Sequence, residues 1–340
     1  MKKTNKFIAA FFIPFIASVS LFAEDSAETK INNGYSEIAK NLNEIVIENS
    51  LAMNTTPDAY IGKLLKSIPP HFQAGFSVAA TVVDTSFITN GIQNLFDEIQ
   101  NSAGSEDIKG TITFTPTIPA YLPIPAASFK FRVGGLFLPF DLGGYFISTI
   151  PDTIKDISIM GYSFGLNYIS AGADLRVAVM QGSMILPQVS LGAGFIWNLQ
   201  DIKFGFNHEL DYSDGLNEKK GHLETESSFS NNTSTIYLSA QVSKQFGITI
   251  PYFGIRGLLT SYTNEFSWFF TLYDENNSEF TDGSKKSNDK DLQQFDFSNL
   301  QAQVFGGFTL TLPFFETGVT GSYNFMTKRY AFQISTCFKM

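Results

Sequence analysis

Tyr330-Ala-Phe-Gln-Ile-Ser-Thr-Cys-Phe-Lys-Met340 closes this chain. In an extended strand successive side chains point to opposite faces. Tyr330, Phe332, Ile334 and Phe338 therefore share one face, and Gln333, Ser335 and Lys339 share the other. A strand with one apolar and one polar face suits a wall between lipid and a wet interior. Cys337, the single cysteine, has no internal disulfide partner and falls on the polar face, where it reads as a small filler.

Bacterial outer-membrane barrels usually finish in this way, with aromatics at alternate positions up to the C-terminus. They favour a terminal Phe, whereas Met340 here follows Phe338 by two residues. The other end agrees. Met1-Lys-Lys-Thr-Asn-Lys6 is a basic n-region, Phe7 to Phe22 is apolar apart from Pro14, Ser18 and Ser20, and Leu21-Phe-Ala23 precedes Glu24-Asp25. This is the pattern of a cleavable secretory signal, expected over 1–23, and its apolar stretch is short for an uncleaved span. Removing it would take Lys2, Lys3 and Lys6 away and move the formal charge from −9 to −12. An acidic chain without a Lys/Arg cluster makes a poor nucleic-acid binder.

Beyond residue 23 no stretch approaches the ~20 apolar residues of a transmembrane helix. Aromatics nevertheless make up 15% of the chain and charged residues only 16%, against roughly 25% charged in soluble domains. The apolar residues are instead spread over alternate positions, as a membrane barrel requires. From His71 onward the alternation recurs: Phe72, Phe76 and Val78; Phe129, Phe131 and Val133; Leu175, Val177 and Val179; Leu191, Phe195 and Trp197; Ile236, Leu238 and Val242; Phe308, Leu310 and Leu312.

The expected architecture is an all-β, transmembrane antiparallel barrel over 71–340 with about twelve strands, ten and fourteen being the bounds. The strands are placed near 72–84, 110–117, 128–138, 142–149, 158–169, 172–181, 184–200, 230–246, 248–272, 293–312, 315–326 and 329–339. In this count the long polar segments 85–109, 201–229 and 273–292 lie outside the cell, and the short connections at 182–183, 247 and 313–314 lie in the periplasm. One long strand over 248–272 keeps that order, with a bulge near Ser261 to Asn264 where outward parity changes between Leu259 and Phe266. Residues 24–70 differ from the rest. Ile31, Tyr35, Ile38, Leu42, Ile45 and Val46 recur at helical spacing, and a second short helix is expected from about Asp58 to Ser67, stopped by Pro69-Pro70. The segment reads as a periplasmic appendage, a plug folded into the lumen, or a loosely ordered leader.

Ile68-Pro-Pro-His-Phe-Gln-Ala-Gly75, Phe131-Arg-Val-Gly-Gly-Leu-Phe-Leu-Pro-Phe-Asp-Leu-Gly143, Gly172-Ala-Asp-Leu-Arg176, Gln241-Val-Ser-Lys244 and Pro251-Tyr-Phe-Gly254 are scattered over most of the chain. They are similar to stretches of an uncharacterised family of spirochaete (treponeme-type) outer-membrane barrel proteins. The resemblance implies fold and location and no reaction.

Few residues read as chemistry. Gly161-Tyr-Ser163-Phe-Gly165 matches the nucleophile-elbow spacing, with His208 and His222 downstream, but an elbow needs a strand-to-helix turn and this motif sits within alternating residues. His71, His208 and His222 lack zinc spacing. Asp211, Asp214 and Gly215, or Asp274, Glu275, Glu279 and Asp282, lack the order of a calcium loop. No catalytic residue, cofactor or metal is expected.

The informative charges lie within strands. Lys130, Arg132, Asp174, Arg176 and Arg256 sit opposite lipid-type residues, so alternation turns them toward the lumen. A charge facing lipid at the midplane costs roughly 2–4 kcal/mol, which disfavours the other register. They read either as a charged constriction selecting solutes or as a closed interior ion-pair network. The leading expectation is a porin-like passive channel for small solutes, hydrophilic or hydrophobic. The alternative is a closed barrel acting as an adhesin or structural surface protein through its outer loops. Expected partners are membrane lipid, the outer-membrane assembly machinery, solutes or a host ligand.

Overall fold

The computed structural model describes residues 40–56, 71–84, 86, 121–134, 139–148, 157–159, 162–183, 185–213, 218–273 and 279–339. Among the described residues one α-helix, α1, spans 40–53. The strands are β1 (His71–Asp84), β2 (Tyr121–Gly134), β3 (Phe140–Ser148), β4 (Ile157–Ile159), β5 (Tyr162–Gln181), β6 (Gln188–Ser213), β7 (Glu218–Ser243), β8 (Thr249–Tyr273), β9 (Glu279–Gln293), β10 (Gln301–Thr311), β11 (Phe315–Asn324) and β12 (Tyr330–Lys339).

All pairings are antiparallel, and ten strands close on themselves in the order β1-β2-β3-β5-β6-β7-β8-β10-β11-β12. The seam joins Gln73 to Lys339 and Val82 to Tyr330, and β8 meets β10 from Gln301↔Leu258 to Leu310↔Thr249. Closure removes every exposed sheet edge from the wall. The circuit therefore holds ten strands and not twelve. The segments 158–169 and 172–181 are largely one strand, β5, because Ser170-Ala-Gly-Ala continues its pairing with β6 without a turn. β4 and β9 are accessory: β4 pairs only with β5, and β9 only with the upper part of β8. The strand expected at 110–117 and the helix expected over 58–67 lie outside the described residues.

The segments 201–229 and 273–292 are mostly strand. β6 and β7 keep one register from Gln188↔Ser243 to Ser213↔Glu218. A 26-residue strand is roughly 85 Å of chain, far beyond what a ~30 Å hydrocarbon core needs even at ~45° of tilt. The outer face records where lipid contact would stop. Leu191, Phe195, Trp197 and Leu199 point outward on β6, and the next outward positions are Asp201 and Lys203. Polarity beyond Leu199 thus marks wall rising above an apolar belt, since ladder hydrogen bonds need no apolar outer face. At the base of this extension Ile202, Phe229 and Phe266 are buried on the inner face.

β8 shows no bulge near Ser261 to Asn264. Its register against β7 is unbroken, and Arg256, Leu258, Thr260, Tyr262, Asn264 and Phe266 all point inward. Phe266 is apolar because it fills the interior, which is why outward parity looks reversed in the sequence.

Around the barrel the exterior is apolar and the interior polar. Phe76, Leu238, Phe332 and Ile334 are 57–69% exposed outside, while Gln73, Ser77, Thr81, Gln303, Gln333 and Ser335 are buried inside. Cys337 is buried on the inner face. Aromatic pairs such as Phe76 with Phe129 and Phe315 with Phe338 meet edge to face on the outside, at ring centroids 5.3 and 5.9 Å apart. At the upper belt margin Trp197 Nε1 donates to Asn232 Oδ1 at 2.9 Å, a position suited to an interfacial girdle.

The two mouths differ. His71, Lys339 and the connections 135–139, 182–187, 244–248 and 312–314 share one end. The connections 85–120, 149–161, 214–217, 274–300 and 325–329 share the other, together with the tall β6–β7 and β8–β9 hairpins. These are the turn end and the loop end below.

Candidate functional site in the barrel lumen

A ten-stranded interior is wider than side chains alone fill, and here a helix occupies it. From Ile45 to Thr56 every residue of α1 and its continuation is buried, polar ones included. Ile45, Val46, Leu51 and Met53 belong to an interior cluster with wall residues Ala79, Ile147, Ile196, Tyr237, Leu258 and Ala331. Of the helix expected near Ile31 to Val46, the part from residue 40 is described and runs on to Met53, and 31–39 lie outside the described residues. Glu48, Asn49 and Ser50 break its apolar periodicity, and only the wall supplies what they need.

That supply comes from β1, β2, β6, β7, β8, β10, β11 and β12. At the loop end Arg329 donates to Glu44, and to Asn41 at 2.8 Å. Asn43 accepts from Gln200 at 2.7 Å and from Thr233. Glu48 accepts from Gln303 at 2.7 Å, from Asn324, and from Thr327 at 3.4 Å. Asn49 donates to the Ile124 carbonyl at 2.9 Å and accepts from Thr81 at 2.7 Å. Ser50 donates to Asn198 Oδ1 at 2.9 Å.

The C-terminal end of α1 is held by cations. Arg256 donates to the Leu51 carbonyl at 2.7 Å and to Thr55 Oγ1 at 2.8 Å, and Lys130 donates to the Thr55 carbonyl at 3.1 Å. A helix C-terminus carries unsatisfied carbonyls and partial negative charge, so basic groups stabilise it. Arg256 also lies 4.2 Å from the Phe305 ring centroid and 5.5 Å from that of Tyr237, which favours a guanidinium over an ammonium there.

The wall sector formed by β2, β3 and β5 carries a separate charged cluster. Arg132 contacts Asp141 at 2.6 Å and Asp174 at 2.7 Å, and Arg176 contacts Asp141 at 2.7 Å and, through Nε, at 2.9 Å. All four side chains are at most 6% exposed. Two arginines and two aspartates balance in charge, as buried ions must. Asp141 is the member that sequence reading missed. Its signal was available in Phe140-Asp-Leu142, where outward Leu142 turns Asp141 inward, opposite Arg176 on β5 and diagonal to Arg132 on β2.

Gly143 lets this cluster form across β3. A Cβ there would stand 2.4 Å from an Arg132 nitrogen and 2.6 Å from Asp174 Oδ1. Gly143→Ala is expected to force the ion pair apart and destabilise the barrel by about 1–3 kcal/mol, measured by urea unfolding in detergent. A stability equal to the parent would mean the pair relocates freely.

Lys130, Arg132, Asp174, Arg176 and Arg256 are all buried on the inner face. Arg132, Asp174 and Arg176 meet in the cluster, whereas Lys130 and Arg256 serve α1. Cavities lie beside α1 among the described residues. One of about 190 Å³ opens at the loop end between Lys40, Glu44, Ile47, Tyr262, Asn299 and Met326. Another of about 10 Å³ lies deeper, beside Lys130 and Arg132. Near the wider cavity, Asp296 caps the turn Phe297–Asn299, and the Ser298 backbone N–H holds its carboxyl below the usual range. Ser163 sits inside β5, paired with Ser158 and Gly205 in an uninterrupted strand. The elbow turn is not formed.

No protein-family model and no curated protein sequence matches the chain. Solved structures do. The translocator domain of autotransporter NalP from Neisseria meningitidis aligns over 91% of this chain and 97% of its own, at 6% identity and a TM-score of 0.33. Outer membrane protease OmpT from Escherichia coli aligns over 81% and 96%, at 8% identity and 0.36. A major outer membrane protein from Thermus thermophilus aligns over 79% and 99%, at 9% identity and 0.29. The last two are outer membrane proteins, and the likeness is one of fold.

Proposed function

We propose that this chain is an outer-membrane barrel kept closed by its own helix, presenting the tall β6–β7 and β8–β9 hairpins at the cell surface as a structural or adhesive face. The carrying observation is α1, buried on all sides from Ile45 onward and bonded to most of the wall. An apolar exterior around a polar interior supports the membrane location, as does the signal-like segment 1–23. The resemblance to treponeme-type barrels points the same way and names no ligand. Porin-like passage, the leading expectation from sequence, requires α1 to leave the lumen.

Planar-bilayer conductance separates the two. The intact chain is expected to be silent, and a chain lacking residues 24–56 to conduct. Folding of both is checked by heat-modifiable gel mobility. Steady conductance by the intact chain would overturn the closed reading in favour of a channel. Silence from the folded deletion would show that α1 is not what closes the barrel.

A further inference from the structure

β7 acts as a ruler for the direction of α1. This strand descends from the loop end to its turn at Ser243. Asn43 bonds to Thr233, Asn54 to Tyr237, and Thr56 to Gln241. Rising numbers in the helix thus meet positions ever nearer the turn end. The other strands agree. Glu44 meets Arg329 in the loop-end connection 325–329, whereas Met53 accepts from Gln333 further down β12. Thr55 meets Lys130, four residues above the turn-end limit of β2 at Gly134. Along β7 the eight steps from Thr233 to Gln241 span roughly 26 Å of strand, so the order is not a local irregularity. Lys40, the first described residue, is exposed at the loop-end mouth beside Tyr262 and Met326.

Short connections mark the periplasmic end of such barrels and long ones the outer end. From this polarity and the direction of α1 we propose that the chain enters its own lumen from outside. The segment preceding Lys40 is then delivered through the barrel to the cell surface, and α1 descends from the outer mouth toward the periplasmic start of β1. The lumen works once, as an export path for the protein's own N-terminal segment, and α1 then seals it.

The physics sets the order of events. A helix with its side chains is about 10–12 Å across, and from Ile45 on α1 is buried within the wall. Residues 24–39 must therefore pass the lumen before α1 seats. That segment carries Glu24, Asp25, Glu28 and Glu37 against Lys30, and its passage would take it past Lys130 and Arg256 on the inner face. This inference rests on the outer-membrane reading but not on the barrel being closed: conductance reports closure, whereas the experiment below reports which mouth the chain uses.

Single cysteines are placed at Ser26→Cys and Lys40→Cys in full-length Cys337→Ser protein and labelled in intact cells with a membrane-impermeant maleimide. Lys328→Cys, in the outer connection, and Gln245→Cys, in a periplasmic turn, fix the two sides. Positions 26 and 40 are expected to label in intact cells as fully as position 328, within about twofold of the permeabilised value. Position 245 is expected to label only after permeabilisation. If positions 26 and 40 follow 245, or stay unlabelled in intact cells while 328 reacts, the proposal is overturned. If 245 reacts in intact cells and 328 does not, the barrel is inverted and the proposal falls with it.

Discussion

Arg256→Met is expected to turn a silent barrel into one that conducts. The substitution keeps an unbranched stem against Phe305 and Tyr237 but removes the donors that reach the Leu51 carbonyl and Thr55 Oγ1. Those acceptors lie inside the barrel at the C-terminal end of α1, where the loss of a charged donor leaves them buried without that partner. Hydrogen bonds to charged groups contribute about 1.5–3 kcal/mol each, so the helix should lose on the order of 3 kcal/mol of its hold. Lys130 remains on the Thr55 carbonyl, which predicts intermittent rather than permanent opening. Arg256→Lys should fall between the parent and Met, because an ammonium lacks the planar fork that spans both acceptors. Planar-bilayer recordings of the three proteins read this order directly. Equal silence in all of them would mean that the remaining bonds hold α1 without Arg256.

The second large effect concerns folding. Asp141→Asn is expected to abolish refolding, or to cost about 3–5 kcal/mol, because it leaves Arg132 and Arg176 buried with one carboxylate fewer between them. Asp141 takes contacts from both arginines, at 2.6 and 2.7 Å, while Asp174 contacts Arg132. The amide keeps shape and volume, so the loss reports charge and not packing. A compensating pair distinguishes this from a general intolerance of the site. Asp141→Leu combined with Arg176→Leu removes one charge of each sign, leaves the Arg132–Asp174 pair, and should recover most of the stability, since apolar replacement of a buried pair is often neutral or better. Heat-modifiable mobility and urea unfolding in detergent measure both. A parent-like Asp141→Asn protein would show that the cluster is hydrated enough to do without the charge.

Period-two alternation is a local property, and it declares a wall. Tyr330, Phe332 and Ile334 point outward while Gln333, Ser335 and Cys337 point inward, because strand geometry alone sends neighbours to opposite faces. The same rule turns Lys130, Arg132, Asp174, Arg176 and Arg256 away from lipid. What alternation does not carry is strand number or strand length. Ten strands close because Gln301 to Leu310 pair with β8 and leave β9 outside the circuit, a choice made between distant segments. Polar residues over 201–213 and 218–229 resemble a loop in one dimension. They are strand because the β6–β7 ladder continues past the apolar belt, where paired backbone no longer needs an apolar outer face. Phe266 resembles a lipid-facing residue because it is apolar, yet it lies on the inner face opposite Phe229.

The helix marks the same division. Helical spacing from Ile31 to Val46 is legible in the chain, but whether that helix hangs in the periplasm or fills the lumen depends on groups far away in sequence. Glu48 is tolerable in a buried helix because Gln303 and Asn324 meet it, and Asn49 because Thr81 and the Ile124 carbonyl do. Sequence by itself determined an apolar-outside, polar-inside barrel preceded by a helix, because those depend on neighbours a few residues apart. Tertiary structure decided the ten-strand closure, the Asp141 cluster, and the seating and direction of α1, because each is a match between polar groups that only closure of the barrel brings together.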